Sequence, residues 1–426
     1  MIKKEISGLG QSLYIEKLDN GLTLYFLPFN NRKNYYIEYV TNFGSIIDTF
    51  KTEDVKSFIT VPYGVAHFLE HKMFEQENGE DPFKFFSRYG SDANASTSYQ
   101  STSYFVEGTA NIEENLDFLL TYVNSPYFTD ENVEKEKNII VEEINMYNDE
   151  PEGKLYRESN KAIFKVHPMR IDIGGTEESV RSITKEDLYN CYNTFYQPSN
   201  MALFIGGNFD IDKVLDVVRS NKALMGNTFN KKIIIKKKNE PVAVNCKFKE
   251  IEINNMIIPK FVFTIKLSLK EIPVPSRCEY ITCVSLLLGI LFGNSSLFKE
   301  EMLKRGLMTA FAASKGLIDD FLLIEFVAES KKPKELHEEV IKCFKSQKIE
   351  KDEVERQKKV YISDEVSRSD KVISSVSSFI DDYLAYGDIV CNRMDIVKAI
   401  NLDKINKVRS SIDINNSSIV IAYPKE

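Results

Sequence analysis

Apolar and polar residues alternate along Tyr14–Phe29, "YIEKLDNGLTLYFLPF", and the alternation breaks at Asn20-Gly21. That pattern predicts a β-hairpin closed by a two-residue turn. A further strand is predicted over "NYYIEYVTNFGS". From Gly64 the period lengthens to that of a helix, with Val65, Phe68, Leu69 and Met73 on one apolar stripe. Asp81 offers an N-cap, Pro82 suits the first helical position and Gly90 suits a C-terminal stop, so "DPFKFFSRYG" is a short helix. The next stretch, "SDANASTSYQSTSYFVEGT", passes from small polar residues to an alternating Tyr104 and Val106. It predicts two strands or a hairpin whose first strand carries no large side chains. Helices follow over roughly 112–123 and 129–148, another follows "DEPEG", and "MALFIGGNFD" reads as a strand entering a glycine turn.

Residues 226–243 shift to Asn, Lys and Pro, which places a domain boundary between 1–228 and 240–426. The second half repeats the first in outline: "GNSSLFKEEML" (Gly293–Leu303) aligns with "GVAHFLEHKMF" (Gly64–Phe74), and each precedes an extended segment. A distant internal duplication in an α+β chain is the simplest account. In that pairing Ser296 and Glu300 stand where the first copy has His67 and His71, so the second copy lacks metal ligands.

At 426 residues, with 43% hydrophobic and 28% charged content, the chain has the makings of a globular protein with a large core. No run approaches the roughly 18 uninterrupted apolar residues of a membrane span, and no apolar stretch follows the first lysines, so a cytoplasmic location is expected. The six cysteines are scattered, as buried reduced thiols are. A net charge of -8 argues against a nucleic-acid partner. The one basic run, "KKIIIKKK" (Lys231–Lys238), is expected to be a solvated linker or an edge strand.

The chain has only four histidines, and two fall in "HFLEH". His67 and His71 are one helical turn apart, at the separation two ligands of one zinc need, with Glu70 beside them to take a proton from water. The spacing is H-x-x-E-H, the inverse of the commoner zinc motif. A third protein ligand is expected from "EKEKNIIVEEINMYND", where Glu136 and Glu143 share a face two turns apart and Glu142 points elsewhere. Glu143 is expected to be the ligand and Glu136 to orient a histidine or the water. His167, before a proline, is expected to be structural, and His337 on a Lys- and Glu-rich helix to face solvent.

With these motifs the chain resembles the pitrilysin/insulinase family of zinc peptidases, which includes mitochondrial processing peptidase. The likeness runs from about Glu16 to the C-terminus and is strongest before residue 210. "HFLEHKMFE" resembles the family's metal helix and "EKNIIVEEI" its third-ligand helix, at a spacing from His71 to Glu143 of 143 - 71 = 72 residues. "SDANASTSYQSTSY", "IGGTEESVRSITKEDL" and "YQPSNMALFIGGNFD" resemble further signatures. The resemblance implies one zinc per chain and a peptide substrate seated along Asn94, Ala95 and Ser96 by β-augmentation. It implies two duplicated domains, each an antiparallel sheet with helices mainly on one face, and two chains closing as a clamshell around a chamber. The expected activity is endopeptidase cleavage of extended peptides or of precursor and leader peptides. The alternative is a non-catalytic peptide-binding or scaffolding subunit.

One departure from the family stands out. Many members carry an Arg and a Tyr in a segment like "LFxxLRxxxGLxY"; here it is "LFKEEMLKRGLMT", with Met302 and Thr309 in those places. The expectation is a heterodimer in which a homologous partner supplies the Arg and Tyr, with a homodimer as the other possibility.

Overall fold

The computed structural model describes residues 1–425. Alternation at the start of the chain produces β1 (Ile2–Ile6), β2 (Gln11–Lys17) and β3 (Thr23–Pro28), joined as antiparallel neighbours. The turn after β2 is one residue longer than the Asn-Gly pair suggests. Leu18 N–H donates to Leu22 O at 2.9 Å, leaving Asp19, Asn20 and Gly21 in the turn, with Gly21 at φ 95°. β4 (Tyr35–Thr41), β5 (Thr49–Thr52), β6 (Ile59–Thr60), β7 (Asp92–Thr97), β8 (Thr102–Gly108), β9 (Met201–Gly207) and β10 (Ile233–Ile235) follow. Seven of these make one sheet in the order β1-β2-β3-β9-β4-β8-β7, antiparallel except at β3–β9, and β7 forms one edge. The isoleucine strand β10, with lysines on both sides, lies at the edge of a small sheet, β10-β5-β6, as a strand flanked by charge should.

The helical periods give α1 (Val65–Met73), α2 (Pro82–Arg88), α3 (Ile112–Val123) and α4 (Asp130–Asp149). Asp81 caps α2 by accepting from Phe83 and Lys84 N–H at 3.0 and 3.4 Å. Phe68 and Leu69 of α1 and Leu116, Leu119 and Leu120 of α3 bury themselves with Phe26, Ile37, Tyr39 and Tyr104 of the sheet. The sheet's opposite face is covered by the helix Val372–Tyr386, through Val372, Val376 and Ile380 against Tyr25, Val40 and Phe204.

The compact units are therefore not two contiguous stretches. The first comprises Met1–Asn145, Ile171–Lys238 and Ser367–Cys391; the second comprises Met146–Arg170, Asn239–Val366 and the chain from residue 392 on. The change-over at Lys238 lies within the stretch where composition shifts, but each unit also takes one helical segment from beyond it. Burial explains the exchange: α5 (Pro151–Ile163) puts Leu155 and Ala162 into the second unit's core, with Val262 and Val420.

The second unit holds β11 (Phe248–Ile253), β12 (Lys260–Ser268), β13 (Ala310–Ile318), β14 (Phe321–Glu329) and β15 (Ser417–Pro424), ordered β11-β15-β12-β14-β13. Only β11–β15 is parallel. The helical stretch Arg277–Lys304 is apolar and long enough to cross a membrane by composition alone, but 67% of its most apolar window is buried in the protein, as for a core helix. Two histidines in this unit acquire definite roles. His167 is buried and bonds through Nε2 to Asp319 at 3.0 Å, from a turn far away in sequence. His337 does not face solvent: its ring packs edge-on against Phe263 at 4.5 Å, and burial lowers its pKa to about 4.

Candidate metal centre

The chain enters α1 through Gly64 at φ 87°, a left-handed backbone that only glycine adopts without strain. A Cβ at Gly64 would stand 2.4 Å from the Gly174 carbonyl oxygen, so the "IGG" turn lies directly against the start of the helix. With Phe68 and Leu69 in the core, His67 and His71 project from the opposite side, their rings 4.6 Å apart. On α4 the residues Val133, Lys137, Ile140 and Val141 are buried, which holds Glu136 and Glu143 towards α1.

These two helices bring four of the predicted side chains together. His67 Nε2 lies 3.8 Å and His71 Nε2 3.6 Å from the same oxygen, Glu143 Oε2. Two ligands about 2.1 Å from a tetrahedral zinc lie about 3.4 Å from each other, so each histidine nitrogen is within a few tenths of an ångström of the separation from Glu143 that sharing one ion requires. Among the described residues this is the one group of three such side chains whose ligand atoms all fall within 4.8 Å. His71 Nδ1 is 3.0 Å from Glu136 Oε1, a contact that turns the ring's other nitrogen to Glu143.

The electrostatics separate the two histidines. Burial, helped by the neighbouring His71, lowers the His67 pKa to about 4, so this ring is neutral with a lone pair to give. Burial also opposes a charge on His71, but the bond and charge of Glu136, with Glu70 and Glu143, outweigh it and raise its pKa. Glu136 is lowered correspondingly: burial works against its charge, and His71, Lys72 and Lys135 overcome it. Lys72, fully buried, is ion-paired to Glu75.

Glu70 is 9% exposed, and Thr97 Oγ1 on β7 donates to its Oε2 at 2.6 Å. Burial raises the Glu70 carboxyl, and Glu143 adds to the rise; Thr97 and His71 only partly offset it. The sequence reading missed Thr97. The signal was its place in "ANAST": with period two it shares the face of Ala93 and Ala95, which pack on the core beneath α1.

Asn94 and Ser96 alternate to the other face of β7 and are exposed, while Ala95 is half-buried. Asn94 Oδ1 accepts from Ala95 N–H at 2.9 Å, and Ser96 Oγ lies 3.1 Å from Ser103 Oγ. The strand is thus an open edge whose last residue touches Glu70. In the second unit, Ser296 caps a helix by accepting from Lys299 N–H and Glu300 pairs with Lys304. Met302 is 2% exposed, Thr309 bonds to Glu329, and Arg305 is held by Glu335 at 3.1 Å and Glu339 at 2.9 Å.

Residues 61–177, which contain all four metal-centre residues, Glu70 and Thr97, match the family model described as Insulinase (Peptidase family M16), and residues 182–361 match Peptidase M16 inactive domain. The chain is 41% identical over 330 residues to the uncharacterized zinc protease YmfH of Bacillus subtilis, covering 77% of this chain and 74% of that protein. A crystal structure of a putative M16-like peptidase from Alicyclobacillus acidocaldarius superposes with a TM-score of 0.92 at 31% identity, covering 99% of this chain and all of the other. Pitrilysin shares the fold at 17% identity and a TM-score of 0.78, and there the match covers 99% of this chain but 46% of pitrilysin.

Proposed function

Because this chain belongs to the insulinase (peptidase M16) family, we propose that it is a zinc-dependent endopeptidase of extended peptides, with one zinc per chain. The observation that carries this reading is the convergence of His67 Nε2 and His71 Nε2 on one Glu143 oxygen, beside a buried Glu70 and an open strand edge. His67, His71 and Glu143 hold the metal, and a set of two imidazoles and one carboxylate with a free position suits zinc. Zinc bound there supplies a Lewis acid that polarises the scissile carbonyl and acidifies water. Glu136 orients His71 through Nδ1. Glu70 removes the proton from the attacking water and returns it to the leaving amine; its raised carboxyl suits a group that must both take and give a proton. The edge of β7 seats the substrate main chain along Asn94, Ala95 and Ser96 by β-augmentation, so an unfolded segment is the expected substrate class, precursor or leader peptides among them.

The segment matching the inactive-domain model begins at residue 182, after every residue of the centre, so that description gives no support to a non-catalytic reading of the centre itself. Six cysteines with no disulfide among them suit a cytoplasmic setting. Pitrilysin is about twice as long as the part that this chain matches, and Met302 and Thr309 stand where the family's Arg and Tyr are expected. We therefore assign the missing pair to a second, homologous chain, in a heterodimer in which this chain bears the metal.

The test is cleavage of a pool of unstructured peptides by the zinc-loaded chain, with chelator-treated and Glu70→Gln controls. Chelator-sensitive cleavage that Glu70→Gln abolishes while zinc stays bound is the expected outcome once a partner is present. Full activity of Glu70→Gln would overturn the assignment of the base. Robust turnover by the chain alone would remove the need for the heterodimer.

A further inference from the structure

We propose that Thr97 is a positioning residue for Glu70, fixing from the strand edge the carboxylate that handles the proton; this rests on the peptidase reading of Glu70. The Thr97 hydroxyl makes the only hydrogen bond that Glu70 receives among the described residues. Its acceptor is Oε2, at 2.6 Å, so Oε1 stays available to a water. The direction of the bond follows from the neighbours. Thr102, opposite Thr97 in the β7–β8 register, lies with its Oγ1 3.4 Å from Thr97 Oγ1 and spends its own proton on the Phe43 carbonyl oxygen at 2.8 Å. Thr97 therefore has one proton and one strong acceptor for it, the carboxylate.

The hydroxyl is also held firmly from behind. Thr97 is the last ladder residue of β7, and the turn beyond it is closed by Ser98 N–H to Ser101 O at 2.8 Å and by Ser98 Oγ accepting from Ser101 N–H at 3.0 Å. A buried carboxylate with one bond can rotate about its side-chain torsions once that bond is lost, whereas zinc ligation involves none of the same atoms. Removing the hydroxyl should therefore lower turnover and leave metal binding alone.

Thr97→Val keeps the shape and strand preference and deletes the donor; Thr97→Ser keeps the donor. In zinc-loaded protein, with the homologous partner present where turnover requires it, Thr97→Val is expected to lower kcat about 10- to 100-fold, the size of effect usual for groups that orient a metal site. KM and zinc affinity by chelator competition should not change, and Thr97→Ser should restore kcat. Adding Thr97→Val to Glu70→Gln should change nothing further. Independently of activity, a crystal structure of zinc-loaded Thr97→Val should show the Glu70 carboxylate turned from its wild-type position.

An unmoved carboxylate, or wild-type kcat in Thr97→Val, would overturn the inference. So would a joint loss of zinc affinity and kcat that Thr97→Ser does not rescue, since that is the mark of a merely structural residue. Full activity of Glu70→Gln would instead overturn the base assignment, a distinguishable failure.

Discussion

His71 and Glu136 face each other across two helices, Nδ1 to Oε1 at 3.0 Å, and the contact settles which nitrogen of His71 is turned to Glu143. A ligand histidine whose far nitrogen is bonded to a carboxylate is fixed in tautomer and angle and is the more basic donor. Glu136→Gln keeps the size but loses the charge. It should weaken zinc binding about 10- to 100-fold in a chelator competition, and unchanged affinity would show that Glu136 does not act through His71.

Gly64 opens α1, the helix that carries His67 and His71. Its φ of 87° and the 2.4 Å at which a Cβ would meet the Gly174 carbonyl oxygen leave no place for a side chain. Gly64→Ala should cost at least about 1–2 kcal/mol from the left-handed backbone alone, and the clash should shift His67 as well. Thermal unfolding and zinc affinity should both fall; a variant that lost stability but bound zinc as before would show that α1 relaxes without moving its ligands.

Much of this centre was legible because its chemistry is periodic. His67 and His71 at i, i+4 and Glu136 and Glu143 at i, i+7 share helix faces whatever surrounds them. What pairs across the fold was not legible. Thr97 is 27 residues from Glu70, and only the β7 edge lying beneath α1 joins them. Asp319 is 152 residues from His167, so no local pattern announced that bond. His337 failed for a related reason: the lysines and glutamates around it describe one face of its helix, while its own ring turns to Phe261 and Phe263. The exchange of α5 and the helix Val372–Tyr386 between units was equally hidden, since a helix's apolar stripe shows that it packs and not which sheet it packs on.

The second unit depends on a buried ion pair. Glu240 and Lys266 are 2% and 0% exposed and meet at 2.6 Å, and Glu240 also accepts from the N–H groups of Lys165, Val166 and His167. Burial opposes the charge on Glu240, but Lys266 and the three amides overcome it and hold the carboxyl below its usual value. Glu240→Ala would strand Lys266 and should cost about 3–5 kcal/mol, with Lys266→Met in the same chain recovering much of it. Since the folded carboxyl is depressed, its contribution is complete above the unfolded value of about 4.3 and is lost as pH falls through the folded value. Wild type should therefore lose stability on acidification more steeply than the double variant; parallel acid unfolding curves would refute this.

Met302, which stands where the sequence resemblance leads one to expect an arginine, is a core residue at 2% exposure. Restoring the arginine is for that reason not a simple gain of function. Met302→Arg would put an unpaired guanidinium among apolar side chains, and the nearby Glu301 is exposed and already paired with Arg305. An unpaired buried charge costs several kcal/mol, so Met302→Arg alone, or with Thr309→Tyr, should destabilise the second unit and confer no turnover on the isolated chain. The zinc content should be unchanged, because every metal-centre residue lies in the first unit. Unfolding midpoints and peptide cleavage measured on the same preparations decide the matter. A stable, independently active double variant would mean that this helix can present an arginine to substrate after all, and that a partner is not needed to supply one.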